Sequence, residues 1–219
     1  MGVFDIVGPV MIGPSSSHTA GAARLGRMAR TILGEVPAAA TITLYGSFAR
    51  THKGHGTDKA VVAGLLDFAA DDPRLKDAFA LADQAGLAVT FTTAEGGDCH
   101  PNTAEFRLTG VSGRKVRVVG ASTGGGSIVI SRVDDFAVEI TGEYHTLIAV
   151  YLDKPGVVAL VTHILAQENV NIAFMRVSRK RKGAQALMIL ETDQPVPPAA
   201  VDAIRAIRIL ETALTIRPL

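Results

Sequence analysis

Thr146 to Leu152 reads Thr-Leu-Ile-Ala-Val-Tyr-Leu, and Asp153-Lys154-Pro155-Gly156 follows it directly. An apolar run of strand length that stops at Pro-Gly predicts a buried strand and then a turn into a helix. The helix is expected over 157–168, with Leu160, Ile164 and Leu165 on its buried face. Strands are expected at 170–179 and 184–192, joined by a turn at Arg181 to Gly183. Pro197 or Pro198 then opens a second helix through Ile204, and Arg208 to Ile216 closes as a strand. This order, βαββαβ, is the ferredoxin-like arrangement, and it assigns residues 143–219 to one small domain.

Residues 1–142 form a second domain. Ala22, Leu25, Ala29 and Ile32 recur at helical spacing, so a helix is expected from Thr19 to Leu33, capped by Ser17 or Thr19 and closed by Gly34. Thr41 to Tyr45 alternates as a strand. The turn Lys53-Gly54-His55-Gly56-Thr57-Asp58 opens a second helix with Val61, Leu65 and Phe68 as its stripe, capped by Thr57 or Asp58. Asp72-Pro73 starts a third helix, which ends near Gly86. Strands then follow at 87–93, 103–109, 115–120, 127–133 and 136–141. Helices first and strands after them predict an α+β domain with a mixed or mostly antiparallel sheet.

The chain of 219 residues is 47% hydrophobic and 20% charged, which fits a globular protein with real cores. A formal net charge of +1 argues against nucleic acid or an anionic membrane as partner. The basic run Arg179 to Lys182 precedes Gly183 and reads as a solvated hairpin end. No apolar run has the length of a membrane span, and Met1 to Gly13 lacks a signal-peptide pattern. The single cysteine, Cys99, excludes an intrachain disulfide and points to a reducing compartment, hence to the cytoplasm. One cysteine also cannot ligate an iron–sulfur cluster or a cysteine-rich zinc site.

The richest chemistry lies in Gly13-Pro14-Ser15-Ser16-Ser17-His18-Thr19. His18 stands among hydroxyls at a helix start. There the positive end of the macrodipole disfavours imidazolium. A histidine kept neutral can accept a proton, and Ser15, Ser16, Ser17 and Thr19 can donate to a substrate carboxylate. The same residues are also what a helix cap with an exposed histidine needs. Three other clusters read in two ways. His52, His55 and Asp58 fit no familiar metal spacing, so the turn reads as structural or substrate-lining, with no metal. His100-Pro101-Asn102-Thr103, after Gly96-Gly97-Asp98-Cys99, is a stiffened loop or a polar group aimed at a shared site, and Cys99 a loop thiol. Gly124-Gly125-Gly126 is a hairpin or an anion-binding nest, without the pattern of a nucleotide loop.

The C-terminal βαββαβ unit resembles an ACT domain, an amino-acid-binding module. The matching residues are Asp153-Lys154-Pro155-Gly156-Val157 and Glu168-Asn169-Val170-Asn171-Ile172. That resemblance implies an effector site at Tyr151, Asp153, Pro155, Gly156 and Asn171. In the serine-sensing ACT domains of phosphoglycerate dehydrogenases a histidine and two asparagines hold the effector. Tyr151 and Asp153 replace two of them here, and Asn171 is retained. Asp153 is expected to pair with an ammonium group.

Together with this unit, the motifs at Gly13 to Gly21, Gly54 to Asp58, His100 to Thr103 and Gly124 to Gly126 resemble the β subunit of the iron–sulfur-dependent L-serine dehydratases. The N-terminal domain is similar to the allosteric-substrate-binding domain of some phosphoglycerate dehydrogenases. The resemblance implies β-elimination of L-serine to pyruvate and ammonia. A 4Fe–4S cluster held by a partner α subunit would act as Lewis acid on the substrate hydroxyl. His18 would be the base, and Ser15, Ser16, Ser17, Thr19, His55, Asp58, His100, Asn102, Gly124 and Gly125 would line the substrate. The chain alone would then be catalytically incomplete. A homodimer through the ACT domain is expected, because a four-stranded sheet leaves edges that need covering. The competing reading is a non-catalytic amino-acid sensor with all chemistry in the partner chain. A stand-alone serine hydrolase is opposed by the lack of a Gly-x-Ser-x-Gly elbow with an assigned acid.

Overall fold

A computed structural model describes residues 10–95 and 97–219. Most of the Met1 to Gly13 stretch read for a targeting signal, and Gly96 of the loop before His100, lie outside the described residues. The chain divides into two compact units. One runs to Asp134 and takes in Glu139–Thr141; the other comprises Asp135–Val138 and Gly142–Leu219. No helix among the described residues is long and apolar enough to cross a membrane.

The first unit opens with a π-helical turn, Ser16–Gly21, that runs into α1 (Ala22–Leu33). The helical path therefore starts three residues before the expected Thr19. Its cap is Ser15, not Ser17 or Thr19, and the Ser15 hydroxyl accepts the His18 backbone N–H at 3.3 Å. Gly34, in the left-handed region at φ 79°, ends α1 as expected. β1 (Pro37–Tyr45) follows, then α2 (Gly46–His55), α3 (Thr57–Leu65), a 3₁₀ turn at Pro73–Asp77 and α4 (Ala78–Gln84). α2 was not anticipated, because its only buried residue is Phe48 and it carries no apolar stripe to read. Gly56, at φ 68°, ends α2 and begins α3 without any side-chain cap, so neither Thr57 nor Asp58 has the expected capping role. Phe68 lies beyond α3 and is only half-buried.

Five more strands complete this sheet: β2 (Ala88–Ala94), β3 (Thr103–Gly110), β4 (Lys115–Gly124), β5 (Ser127–Val133) and β6 (Phe136–Ile140). Their order is β2-β1-β3-β4-β5-β6. β1 and β2 are parallel, joined across the intervening helices, while β1–β3, β3–β4 and β4–β5 are antiparallel. The sheet is therefore mixed and the unit α+β. Leu25, Met28 and Ile32 of α1 are buried with Val61 and Leu65 of α3 and with Ile42, Leu44, Phe106 and Val118 of the sheet. α1 and α3 approach closely through two glycines. A Cβ on Gly64 would sit 2.1 Å from the Ala23 carbonyl oxygen and 2.9 Å from the Gly26 Cα. Arg30 Nη1 donates to the Leu65 carbonyl at 2.7 Å and so caps the end of α3.

Successive strand residues face opposite ways, so Glu105 of β3 points away from the face that buries Ala104 and Phe106. It is nevertheless buried, and it accepts from Arg107 at 2.8 Å and Arg117 at 2.7 Å. Tyr45 also hydrogen-bonds to it. Burial alone would raise the Glu105 carboxyl, but the bonds from Arg117 and Arg107 outweigh it and hold the group below its ordinary value.

The second unit has the expected βαββαβ order: β7 (His145–Leu152), α5 (Val157–Gln167), β8 (Ile172–Arg179), β9 (Gln185–Thr192), α6 (Pro198–Arg205) and β10 (Leu210–Ile216). The sheet order is β10-β7-β9-β8, which makes β8 an edge. α5 buries Val157, Val161 and Leu165, one residue per turn, against Leu147, Tyr151, Met188 and Leu190. Leu160, expected in that stripe, is 51% exposed because it falls a third of a turn off this row.

Candidate functional site

The π-helical turn places the His18 ring between two hydroxyls. Nδ1 lies 3.3 Å from Ser15 Oγ, and Nε2 lies 3.3 Å from Ser47 Oγ, delivered by the first turn of α2. The ring stands edge-on to Phe48 at 5.2 Å between centroids, and the His55 ring, from the last residue of α2, is 4.9 Å away. Burial, and next the charge of His55, pull the His18 pKa below its ordinary value. The direction is the expected one, and burial and a second imidazole both act in it.

The other hydroxyls of the stretch divide. Ser15, Ser16 and Ser17 are half-buried, whereas Thr19 is buried with Oγ1 unpartnered. Thr57 Oγ1 and Ser122 Oγ are also buried without a hydrogen-bond partner among the described residues. Leaving such groups unpaired costs about 1–3 kcal/mol each. The Ser122 hydroxyl fits only because residue 21 is glycine, since a Cβ there would lie 2.0 Å from it. α3 packs against the same turn, so Thr57 and Asp58 stand on an element bordering His18. Asp58 itself accepts from the adjacent Lys59 N–H at 2.8 Å.

The loop residues take structural partners. His100 Nδ1 accepts the Asn102 N–H at 3.1 Å, and the His100 carbonyl accepts from Thr103 Oγ1 at 2.7 Å. Asn102 Nδ2 donates to the Ser122 carbonyl at 3.4 Å. His100 is exposed, and both side chains serve to fold the loop. Pro101 is the residue of this loop that reaches the site, and it does so through its backbone: its carbonyl accepts the N–H groups of Ser47 at 2.7 Å and Phe48 at 3.3 Å. Gly124-Gly125-Gly126 is a tight hairpin. Gly125 and Gly126 have φ of 59° and 85°, the positive pair that a two-residue turn between twisted strands needs. The Gly126 carbonyl accepts from Arg24 at 2.9 Å, which ties the hairpin to α1. Cys99 is exposed.

The residues expected to form an effector site are not brought together within the second unit. Asn171 precedes β8 at the end where Ile172 pairs with Thr192 and His145 pairs with the same residue. Asp153 follows β7 at the other end, seven strand residues away, roughly 23 Å. Asn171 is engaged by Asp193 at 2.7 Å and by Gln194 at 3.0 Å. Asp153 accepts from Arg179 at 3.0 Å and from the Gly183 N–H at 3.2 Å, so its charge is already matched rather than open to an ammonium group. Tyr151 is 2% exposed and belongs to the core. Only Pro155 and Gly156, the latter at φ 91° at the start of α5, are exposed backbone in the expected place.

The donor set does not fit an iron–sulfur cluster. Such clusters take several cysteine thiolates, this chain has one, and the described residues hold no group of three or more His, Cys, Asp or Glu placed for a metal. Ser47 is the residue that sequence reasoning missed. The available signal was a glycine directly after a strand with a hydroxyl next to it, at Tyr45-Gly46-Ser47.

Comparison with known proteins agrees with these elements. Residues 2–88 match the family Serine dehydratase beta chain, and residues 145–208 match the ACT domain. The chain is 44% identical over 200 residues to a probable L-serine dehydratase beta chain of Bacillus subtilis, covering 91% of this chain and 90% of that one. It is 38% identical over 211 residues to the L-serine dehydratase beta chain of Peptoniphilus asaccharolyticus, covering 96% and 95%. A D-3-phosphoglycerate dehydrogenase of Synechocystis is 27% identical over 81% of this chain but only 32% of its own length. With a histidine turn in the first unit, a βαββαβ unit after it and end-to-end identity of this level, the chain belongs to the L-serine dehydratase beta-chain family and carries an ACT domain at its C-terminal end.

Proposed function

We propose that this chain is the proton-handling half of an L-serine dehydratase. It presents His18 as the base for the α-proton of L-serine, and a partner alpha chain in the cytoplasm holds the 4Fe–4S cluster. The observation that carries this reading is the half-buried His18 ring, set between two hydroxyls and beside His55, with its pKa drawn below the ordinary value by burial and by His55. A neutral imidazole takes the α-proton on a ring nitrogen and the Cα–H electron pair becomes the Cα–Cβ double bond as the Cβ–O bond breaks; the departing hydroxide becomes water with the proton that the imidazolium gives back. The resulting aminoacrylate tautomerises to an imine, which water hydrolyses to pyruvate and ammonia. Ser16 and Ser17, half-buried, are donors available to the substrate carboxylate, whereas the Thr19 hydroxyl is buried. His55 sits where it can receive or return a proton next to His18.

The test is reconstitution with the partner chain and a pyruvate assay. His18→Ala is expected to lower kcat about 10²–10⁴-fold, the usual contribution of a general base, and the chain alone is expected to give no turnover. An unchanged kcat in the variant removes His18 from the chemistry. Self-association belongs to the same proposal. Edge strand β8 exposes Phe174, Met175 and Val177 at 58%, 49% and 43%, and a second copy pairing along it would cover both its open backbone groups and this apolar surface.

A further inference from the structure

Ser47 makes one side-chain contact that bears on the proposed base: its hydroxyl lies 3.3 Å from His18 Nε2. Three features put it there. Gly46 has φ 53°, which turns the chain out of β1 and directly into α2. A Cβ on Gly46 would lie 2.7 Å from the Pro101 carbonyl oxygen and 2.8 Å from its Cα, so only glycine allows the loop to come this close. Pro101 then accepts the Ser47 and Phe48 N–H groups, which no residue of α2 itself can satisfy at a helix start. The backbone of Ser47 is thus clamped from a loop more than fifty residues away in the chain, and its hydroxyl is aimed by that clamp.

The chemistry of the group matters as much as its place. A serine hydroxyl donates and accepts. It can donate to Nε2 when that nitrogen carries a lone pair, and accept from it when it carries a proton. Ser15, on the other side of the ring, has the same capacity at Nδ1. A carboxylate in either place would favour imidazolium and oppose the lowered pKa. A methyl group would leave the protonated nitrogen without a partner.

We infer that Ser47 is a positioning residue for His18, holding the ring in one orientation through both protonation states by means of the Pro101 clamp. The inference rests on the proposed role of His18 for its catalytic consequence, but not for the contact itself. Two measurements separate these. In the full chain, ¹⁵N-detected imidazole spectra at pH 8 read the contact directly: Ser47→Ala is expected to move the His18 Nε2 resonance. The His52 ring, whose Nδ1 is bonded to the Ala49 carbonyl at 2.9 Å, is expected to stay put. Ser47→Thr, which keeps the hydroxyl, is expected to restore the wild-type resonance. In the assembled enzyme Ser47→Ala is expected to lower kcat about tenfold with KM little changed, the scale of one lost hydrogen bond to a ring that becomes charged, with recovery in Ser47→Thr. An unmoved Nε2 resonance in a folded Ser47→Ala chain overturns the inference whatever the activity. A moved resonance with unchanged kcat overturns the catalytic part, and His18→Ala then shows whether the base assignment fails with it.

Discussion

Gly64 lies in the last turn of α3, where helix propensity alone favours alanine by at most about 1 kcal/mol. The structure gives Gly64→Ala the opposite sign. The added methyl would stand 2.1 Å from the Ala23 carbonyl oxygen, 2.8 Å from the Arg27 nitrogen and 2.9 Å from the Gly26 Cα. All three are backbone atoms of α1, so no rotamer change relieves the overlap. The helices must separate by about 1 Å to restore ordinary contact distances. That loosens the packing of Leu25, Met28, Val61 and Leu65, all fully buried. Overpacking of this kind typically costs about 1–3 kcal/mol, occasionally more. Three backbone overlaps at once place the cost at the upper end of that range, and against the propensity gain a net loss of about 2 kcal/mol follows. Gly54 supplies the control. It too is helical, but nothing lies within 4 Å of its Cβ position. Gly54→Ala is therefore expected to be neutral or stabilising by up to about 1 kcal/mol. Urea unfolding followed by circular dichroism reads both. With a slope of about 2 kcal/mol per molar, Gly64→Ala should move the midpoint of the first unit down by about 1 M, and Gly54→Ala should not lower it. Equal behaviour of the two variants would refute the claim that a glycine–glycine crossing sets the distance between α1 and α3.

Glu105→Gln should destabilise the first unit by about 1–2 kcal/mol, the scale of charge-assisted bonds to Arg107 and Arg117 discounted for the exposure of both arginines. Because the folded Glu105 pKa is depressed, this contribution is present above the ordinary carboxylate range and is lost as pH falls through the folded value. Acid titration of stability should therefore be flatter in the variant. His18 has the same sign: its folded pKa lies below 6.5, the unfolded chain binds more protons in that window, and stability falls as pH drops through it. His18→Gln should remove that slope, as measured by midpoints between pH 5 and pH 8. Phe174→Lys on the β8 edge should weaken self-association at least about tenfold by light scattering over a concentration series. A dimer of unchanged strength would place the contact elsewhere.

The second unit was legible almost throughout, because its elements carry readable periods and Pro155-Gly156, Gly183 and Pro197-Pro198 punctuate three of its boundaries. Its one misplaced core residue, Leu160, shows the limit. Apolar residues on α5 nearly encircle the helix, and periodicity cannot choose among rows when too many positions qualify. α2 failed for the opposite reason. It buries one residue, Phe48, and its stability comes from the Pro101 carbonyl, the His18 contact and its packing on neighbouring elements. None of these is a local signal, so a segment rich in glycine and histidine reads as a turn.

The site shows the same division at the level of single residues. His18 could be singled out because its chemistry is carried by its own side chain. Pro101 could not be assigned correctly because its contribution is a carbonyl, which every residue type possesses. The residues flanking it, His100 and Asn102, drew the functional reading, yet they bond each other and fold the loop. What reaches His18 from that loop is a backbone acceptor, passed on through Ser47. A motif therefore marks the neighbourhood of a site more faithfully than the atoms that act in it. Here the acting atoms come from three separated segments, 15–19, 46–48 and 101; Gly46 permits the approach of the last two, and Gly21 that of Ser122 to the turn. Substituting those glycines should disturb His18 more than substituting His100, although His100 is the residue with the titratable ring.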